Sequence, residues 1–107
     1  MTTLNTDSGV VTLINTFTVA PDQAEHLLGV LSQATEQTMR RMPGFLSATF
    51  HLSDDRRHVA NYAQWRSIDD LDAMLKNPAA QKHMKEASGI AKSMQPLIYS
   101  LRRTYEA

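Results

Sequence analysis

The chain contains no cysteine. Disulfides, thiolate nucleophiles, thiolate-held clusters and CxxC redox chemistry are therefore excluded. Glycine is scarce: Gly9, Gly29, Gly44 and Gly89 stand apart, and none belongs to a phosphate-cradling loop. No apolar run approaches the ~18 residues that a membrane span needs. The opening MTTLNTDSG lacks the apolar stretch of a signal peptide, so a cytoplasmic protein away from any membrane is expected. Neither sign of charge is in excess, because 11 basic residues balance 11 acidic ones. The pairs Arg40-Arg41, Arg56-Arg57 and Arg102-Arg103 are scattered and read as solvated loops and helix ends. A nucleic-acid partner would want a net basic patch, so none is expected. Histidines at metal-binding spacing are missing as well, and no metal is expected.

What is present is ordinary for a globular protein. At 42% hydrophobic and 21% charged, the chain is too apolar for disorder. Its 107 residues suit a single domain over 10–107, preceded by a loose polar arm over 1–9.

Val10 to Val19 is rich in β-branched residues and alternates, which predicts a strand. Pro21 suits a helix start, and Leu27, Leu28, Leu31, Ala34, Thr38 and Met42 recur at helical spacing. Pro43-Gly44 stops that helix. Phe45 to Leu52 and His58 to Trp65 predict a hairpin across Ser53 to Arg57. Ser67 is a good N-cap for a helix striped by Ile68, Leu71, Met74 and Leu75. Pro78 interrupts it, a second helical stretch follows from about Ala79 to Lys92, and Gln95 to Thr104 predicts a last strand. The order β-α-β-β-α-β is that of an α+β, ferredoxin-like fold. Its first and third strands are central neighbours.

One sheet face then lacks a cover. Val10, Ile14, Leu46, Ala48, Phe50, Tyr62 and Ile98 are assigned to it, and an apolar face of this kind calls for a second copy. A homodimer closing a dimeric α/β barrel is expected.

On the covered face three residues are out of place. Asn15 sits mid-strand between Leu13 and Phe17, and Asn61 shares a parity with Trp65 on the neighbouring strand. A buried unpaired amide costs ~1–3 kcal/mol. Each asparagine alone reads as satisfied by backbone or water, and Trp65 alone reads as core. Together they point to an apolar pocket with polar anchors. If the hairpin pairs Leu52 with His58, then His51, Thr49 and Ser47 join that face. The methionines, Met74 and Met84 among them, read as core filling. His26 and His83 read as exposed helix residues, and no Ser/His/Asp arrangement can be drawn.

PGFLSATFH (Pro43 to His51) followed by NYAQW (Asn61 to Trp65) is similar to the antibiotic biosynthesis monooxygenase family, most of all to its small members that oxygenate anthrones to quinones. The resemblance implies a homodimer of ferredoxin-like subunits and oxygenation without metal, flavin or haem. It matches Asn61, Trp65 and Asn15 to pocket residues, and His51 to a histidine ending the second strand. Two positions depart: a pocket tyrosine is Leu71 here, and a pocket arginine falls near Met84. Haem-degrading relatives share Asn15, but their tryptophan and histidine positions fall at Met74 and Met84. His83 is one place off, a swing of ~100° on a helix.

The implied substrates are a flat aromatic and dioxygen. An anthrone loses a proton to give an electron-rich anion, which can reduce dioxygen directly and end as a quinone. The asparagine amides would stabilise the enolate oxygen, Trp65 would stack on the ring, and His51 is the candidate base because imidazole ordinarily titrates near neutrality. Polyketide cyclisation on the same scaffold, and a binding dimer without chemistry, remain as alternatives.

Overall fold

The computed structural model describes residues 9–107. The arm expected over 1–9 therefore lies, except for Gly9, outside the described residues. These form four strands, β1 (Val11–Thr18), β2 (Phe45–Leu52), β3 (His58–Trp65) and β4 (Ser93–Tyr99), and three helices, α1 (Ala24–Gln37), α2 (Ile68–Lys76) and α3 (Pro78–Ile90). Every pairing is antiparallel and the sheet order is β2-β3-β1-β4. This is the ferredoxin-like arrangement, with its second helix divided at Asn77-Pro78. No described helix is long and apolar enough to cross a membrane.

The helices pack on one sheet face; among the described residues no helix covers the other, although Thr12 and Gln64 on it are 3% and 1% exposed. Along α1 the buried residues Ala24, Leu27, Val30 and Ala34 fall three or four apart, one stripe turned to the sheet. Two buried clusters result. Phe17, Val19, Leu27, Val59 and Ala87 form one; Leu13, Trp65, Leu71, Met74 and Ala80 form the other. Leu27 and Leu71 are wholly buried, each contributing about 1.5–3 kcal/mol of transfer free energy. Between the clusters, on adjacent strands, lie Asn15 and Asn61.

Local chemistry sets the boundaries. Ser67 caps α2, its hydroxyl accepting from the Asp70 amide at 3.1 Å and donating to the Asp70 carboxylate at 2.9 Å. Asn77 caps α3 by accepting from the amides of Ala79 and Ala80, with Pro78 at the first helical position. Gly44 adopts φ +82°, and a Cβ there would run into Asp70. Its carbonyl accepts from the Arg66 amide at 2.7 Å, tying the start of β2 to the end of β3.

Several expectations need correction. The first helix does not reach Met42: Thr38 leaves helical geometry at φ −126°, ψ −69°, and Met39–Arg41 form a 3-10 turn. The last strand is Ser93–Tyr99 rather than Gln95 to Thr104. It runs only while β1 offers a partner, from Thr18 opposite Ser93 to Thr12 opposite Tyr99. Pro96 is accommodated because β4 is an edge.

The hairpin register differs by one residue. Leu52 faces Val59, not His58. Ser53 instead closes the turn: its amide donates to the His58 carbonyl at 2.9 Å, and its hydroxyl accepts from the His58 amide at 3.0 Å. Asp55 braces the loop by accepting from the Ser53 hydroxyl and the Arg57 amide, and Arg56 turns it at φ +62°. A slip of one residue exchanges the faces of a whole strand. Phe50 and Ala48 consequently stand opposite Asn61 and Ala63 on the helix side, while His51, Thr49 and Ser47 stand on the open face. An irregularity between Phe45 and Ser47 returns Phe45 to the helix side, opposite Trp65, and leaves Leu46 49% exposed. Ile98, opposite Leu13, also belongs to the helix side, and Leu97, opposite Ile14, replaces it on the open face.

Candidate active site

Asn15 and Asn61 are direct cross-strand partners on β1 and β3. Their strands continue on either side with apolar residues, so the amides are polar insertions in a hydrophobic layer. Both side-chain Oδ1 atoms are buried, and neither has a hydrogen-bond partner among the described residues. Each such group costs about 1–3 kcal/mol. The amide oxygen and nitrogen exchange by a half-turn, so each side chain can present either an acceptor or a donor.

Trp65 lies four residues beyond Asn61 on the same face of β3, opposite Val11 of β1 and Phe45 of β2. It is 1% exposed, and its ring meets Phe45 edge to face, centroids 5.5 Å apart at 89°. That packing fixes the indole as a rigid wall.

These three side chains line one cavity of about 70 Å³ between sheet and helices. Ala48 and Ala63, opposite one another, keep its floor low, and Phe50 and Phe45 extend it along β2. The helices contribute Leu31, Thr35, Met74, His83 and Met84, the 3-10 turn contributes Met39, and β4 contributes Met94. A single water needs about 10–15 Å³ by this measure. The cavity thus accepts a few waters as it stands, and a ring system requires its walls to give. Four methionines supply that compliance, since the unbranched thioether adapts its shape readily.

The expected grouping of Asn15, Asn61 and Trp65 is present. His51 does not join it: it pairs with Ala60, is exposed, and stands across the sheet from the cavity. The reason is the register set by Ser53. Conversely His83, expected in solvent, is half-buried and lines the cavity. Its Nε2 lies 3.0 Å from Thr38 Oγ1, where α1 ends. The signal was legible: Ala80, His83 and Ala87 are three and four apart, and Ala80 and Ala87 are buried. Phe50 and Ala48, expected on the open face, line the cavity because of the hairpin register. No cluster of three or more His, Asp or Glu able to hold a metal occurs among the described residues.

A two-layer ferredoxin-like protein with a small, largely apolar cavity and two amides whose buried oxygens lack a partner among the described residues has the build of an enzyme for a compact hydrophobic substrate. The model of the antibiotic biosynthesis monooxygenase family matches residues 10–86. The chain is 40% identical over 107 residues to the tetracenomycin-F1 monooxygenase of Streptomyces glaucescens, covering all of this chain and 95% of that protein. It belongs to the antibiotic biosynthesis monooxygenase family and is an enzyme of the monooxygenase class. Among solved structures, ActVA-Orf6 of Streptomyces coelicolor, a monooxygenase in complex with nanaomycin D, superposes with a TM-score of 0.81 at 24% identity over 94% of this chain and 93% of that one. A variant of SnoaB, a cofactor-independent oxygenase from Streptomyces nogalater, superposes with a TM-score of 0.78 at 24% identity over 90% and 96%. These two likenesses bear on the fold.

Proposed function

We propose that this protein is a cofactor-independent monooxygenase of an aromatic polyketide pathway, acting as a cytoplasmic homodimer and converting a flat anthrone or hydroquinone-like substrate to a quinone with dioxygen. The observation that carries the reading is the facing pair of amides, Asn15 and Asn61, whose buried oxygens have no hydrogen-bond partner among the described residues, in an apolar cavity. It gains support from the tetracenomycin-F1 monooxygenase relative.

The substrate supplies the electrons. Loss of a proton from the carbon between two aromatic rings leaves an anion delocalised onto the ring oxygen. That anion transfers an electron to dioxygen, the two radicals join, and loss of water from the hydroperoxide leaves a carbonyl. The protein must hold the ring flat, favour the enolate and keep bulk water away. Turned with their nitrogens inward, the two amides donate to the enolate oxygen. A preorganised donor of this kind is worth about 3–4 kcal/mol in the transition state. Trp65 and the alanine floor define the plane of the ring, and the methionines close over it.

An oxygen electrode with a model anthrone and metal-stripped protein tests the reading. Uptake of one dioxygen per quinone formed is expected. Turnover of an aromatic polyketide without oxygen uptake would replace oxygenation by cyclisation.

A further inference from the structure

We infer that His83 is the catalytic base that takes and returns the substrate's protons, and that Thr38 is its positioning residue; the inference rests on the oxygenase reading for the identity of the substrate. The cavity's polar lining consists mostly of groups that cannot accept a proton near neutrality. Amides, a hydroxyl and an indole do not, and the thioethers do not. Among the described residues His83 is the only titratable side chain in the lining.

The hydrogen-bond pattern suits the role. Nε2 is held by Thr38 Oγ1 at 3.0 Å, and Nδ1 has no hydrogen-bond partner among the described residues. With the proton on Nε2, the ring donates to Thr38 and keeps the Nδ1 lone pair free. When the imidazolium forms, Nε2 still donates to the same hydroxyl. The contact therefore survives the full proton cycle, and in the tautomer with the proton on Nε2 it leaves Nδ1 as the acceptor.

The cycle balances. Nδ1 takes one proton of the reacting methylene, and the C–H pair becomes the enolate. One electron passes to dioxygen, the C–O bond forms, and the imidazolium returns its proton to the peroxide anion. Nδ1 then takes the second methylene proton as the O–O bond breaks; the C–H pair becomes the C=O bond. The departing hydroxide recovers that proton as water. The methylene and dioxygen become a carbonyl and water, and His83 ends neutral.

The test follows a model anthrone in two assays, oxygen uptake and anaerobic exchange of its methylene protons in D2O. His83→Ala is expected to lower both rates by about 10²–10⁴-fold with KM changed little, and added imidazole should restore part of the loss. His83→Gln keeps the volume and a group for Thr38, so it reads the same loss should the alanine variant not fold. Thr38→Val should lower kcat, and Thr38→Ser should restore it. Rates in the His83 variants within about threefold of wild type overturn the inference, as does a loss in folded His83→Ala that imidazole leaves unrepaired. If wild type exchanges protons in a His83-dependent way but consumes no oxygen, the oxygenase reading fails and His83 stands. If wild type consumes oxygen and the variants match it, His83 fails and the oxygenase reading stands.

Discussion

A single pair of amides concentrates the tension between folding and function. Asn15 is 9% exposed and Asn61 faces it, each with a buried oxygen that has no partner among the described residues. Removing such a group removes its desolvation cost, whereas a satisfied amide would lose stability on removal. Asn15→Val is therefore expected to raise stability by roughly 1 kcal/mol, or ~4 °C in Tm, while lowering kcat. Asn61→Ala should lower kcat by about 10²-fold with a much smaller change in KM, the mark of a contact made in the transition state. Calorimetry and anthrone oxidation on the same preparations decide it; variants that are less stable and fully active would make both amides structural. Trp65 differs, being 1% exposed and packed on Phe45. Trp65→Ala should cost about 3–5 kcal/mol, so the informative change is Trp65→Phe, which keeps most of the ring contact.

The elements show where sequence logic holds and where it slips. The break at Pro78 and the helical stretch after it were readable, and the structure adds the Asn77 cap; Asn77→Ala should cost about 1 kcal/mol in chemical denaturation. The strand pattern of β1 and β3 was readable too, because unbroken alternation over eight residues leaves one choice of face. β2 was not, since its face depends on a turn whose left-handed residue is Arg56 and not a glycine. Replacing it should relieve strain of about 1 kcal/mol, partly offset by glycine's backbone entropy, so Arg56→Gly is expected to be neutral to slightly stabilising. The ion pair it gives up, Arg56 to Glu25 at 3.2 Å, is exposed on both sides and contributes little. In the same turn the Ser53 hydroxyl, then the Arg57 amide, hold the Asp55 carboxyl below its ordinary value. A depressed carboxyl stabilises the fold above its unfolded pKa and loses that contribution as pH falls through the folded one. The hairpin brace should therefore weaken only under acid conditions. For His83 the local pattern cuts two ways: Lys82 and Lys85 beside it mark a solvent-facing turn of α3, the spacing to Ala80 and Ala87 marks a buried one, and Thr38, which holds the ring, is 45 residues away.

At the scale of the whole molecule the shape is a slab, 40 × 38 × 21 Å, about one sheet and one helix layer thick. The sheet face away from the helices is less apolar than the alternation alone suggested, because the β2 register puts Ser47, Thr49 and His51 there in place of Ala48 and Phe50. What remains is a stripe across three neighbouring strands, Tyr62 of β3, Ile14 of β1 and Leu97 of β4, in register with one another. Leu97 is 45% and Tyr99 44% exposed, with Tyr99 beside the same stripe on the sheet's free edge. A second copy laid on this stripe is expected to bring the mass in solution to twice 12.0 kDa. Leu97→Asp is the sharper disruption, since that side chain gives up little packing within its own protomer, whereas Ile14 is already half-buried. Light scattering should show wild type as a dimer and Leu97→Asp as a monomer at micromolar concentration. A monomeric wild type would remove the proposal, and a dimeric Leu97→Asp would move the interface elsewhere. The cavity opens on the opposite side of the sheet from that stripe. The monomeric variant should accordingly keep its kcat in proportion to its folded fraction. A greater loss would mean that a partner shapes the site through β1 and β3, the two strands that carry Asn15 and Asn61 on one face and the proposed dimer stripe on the other.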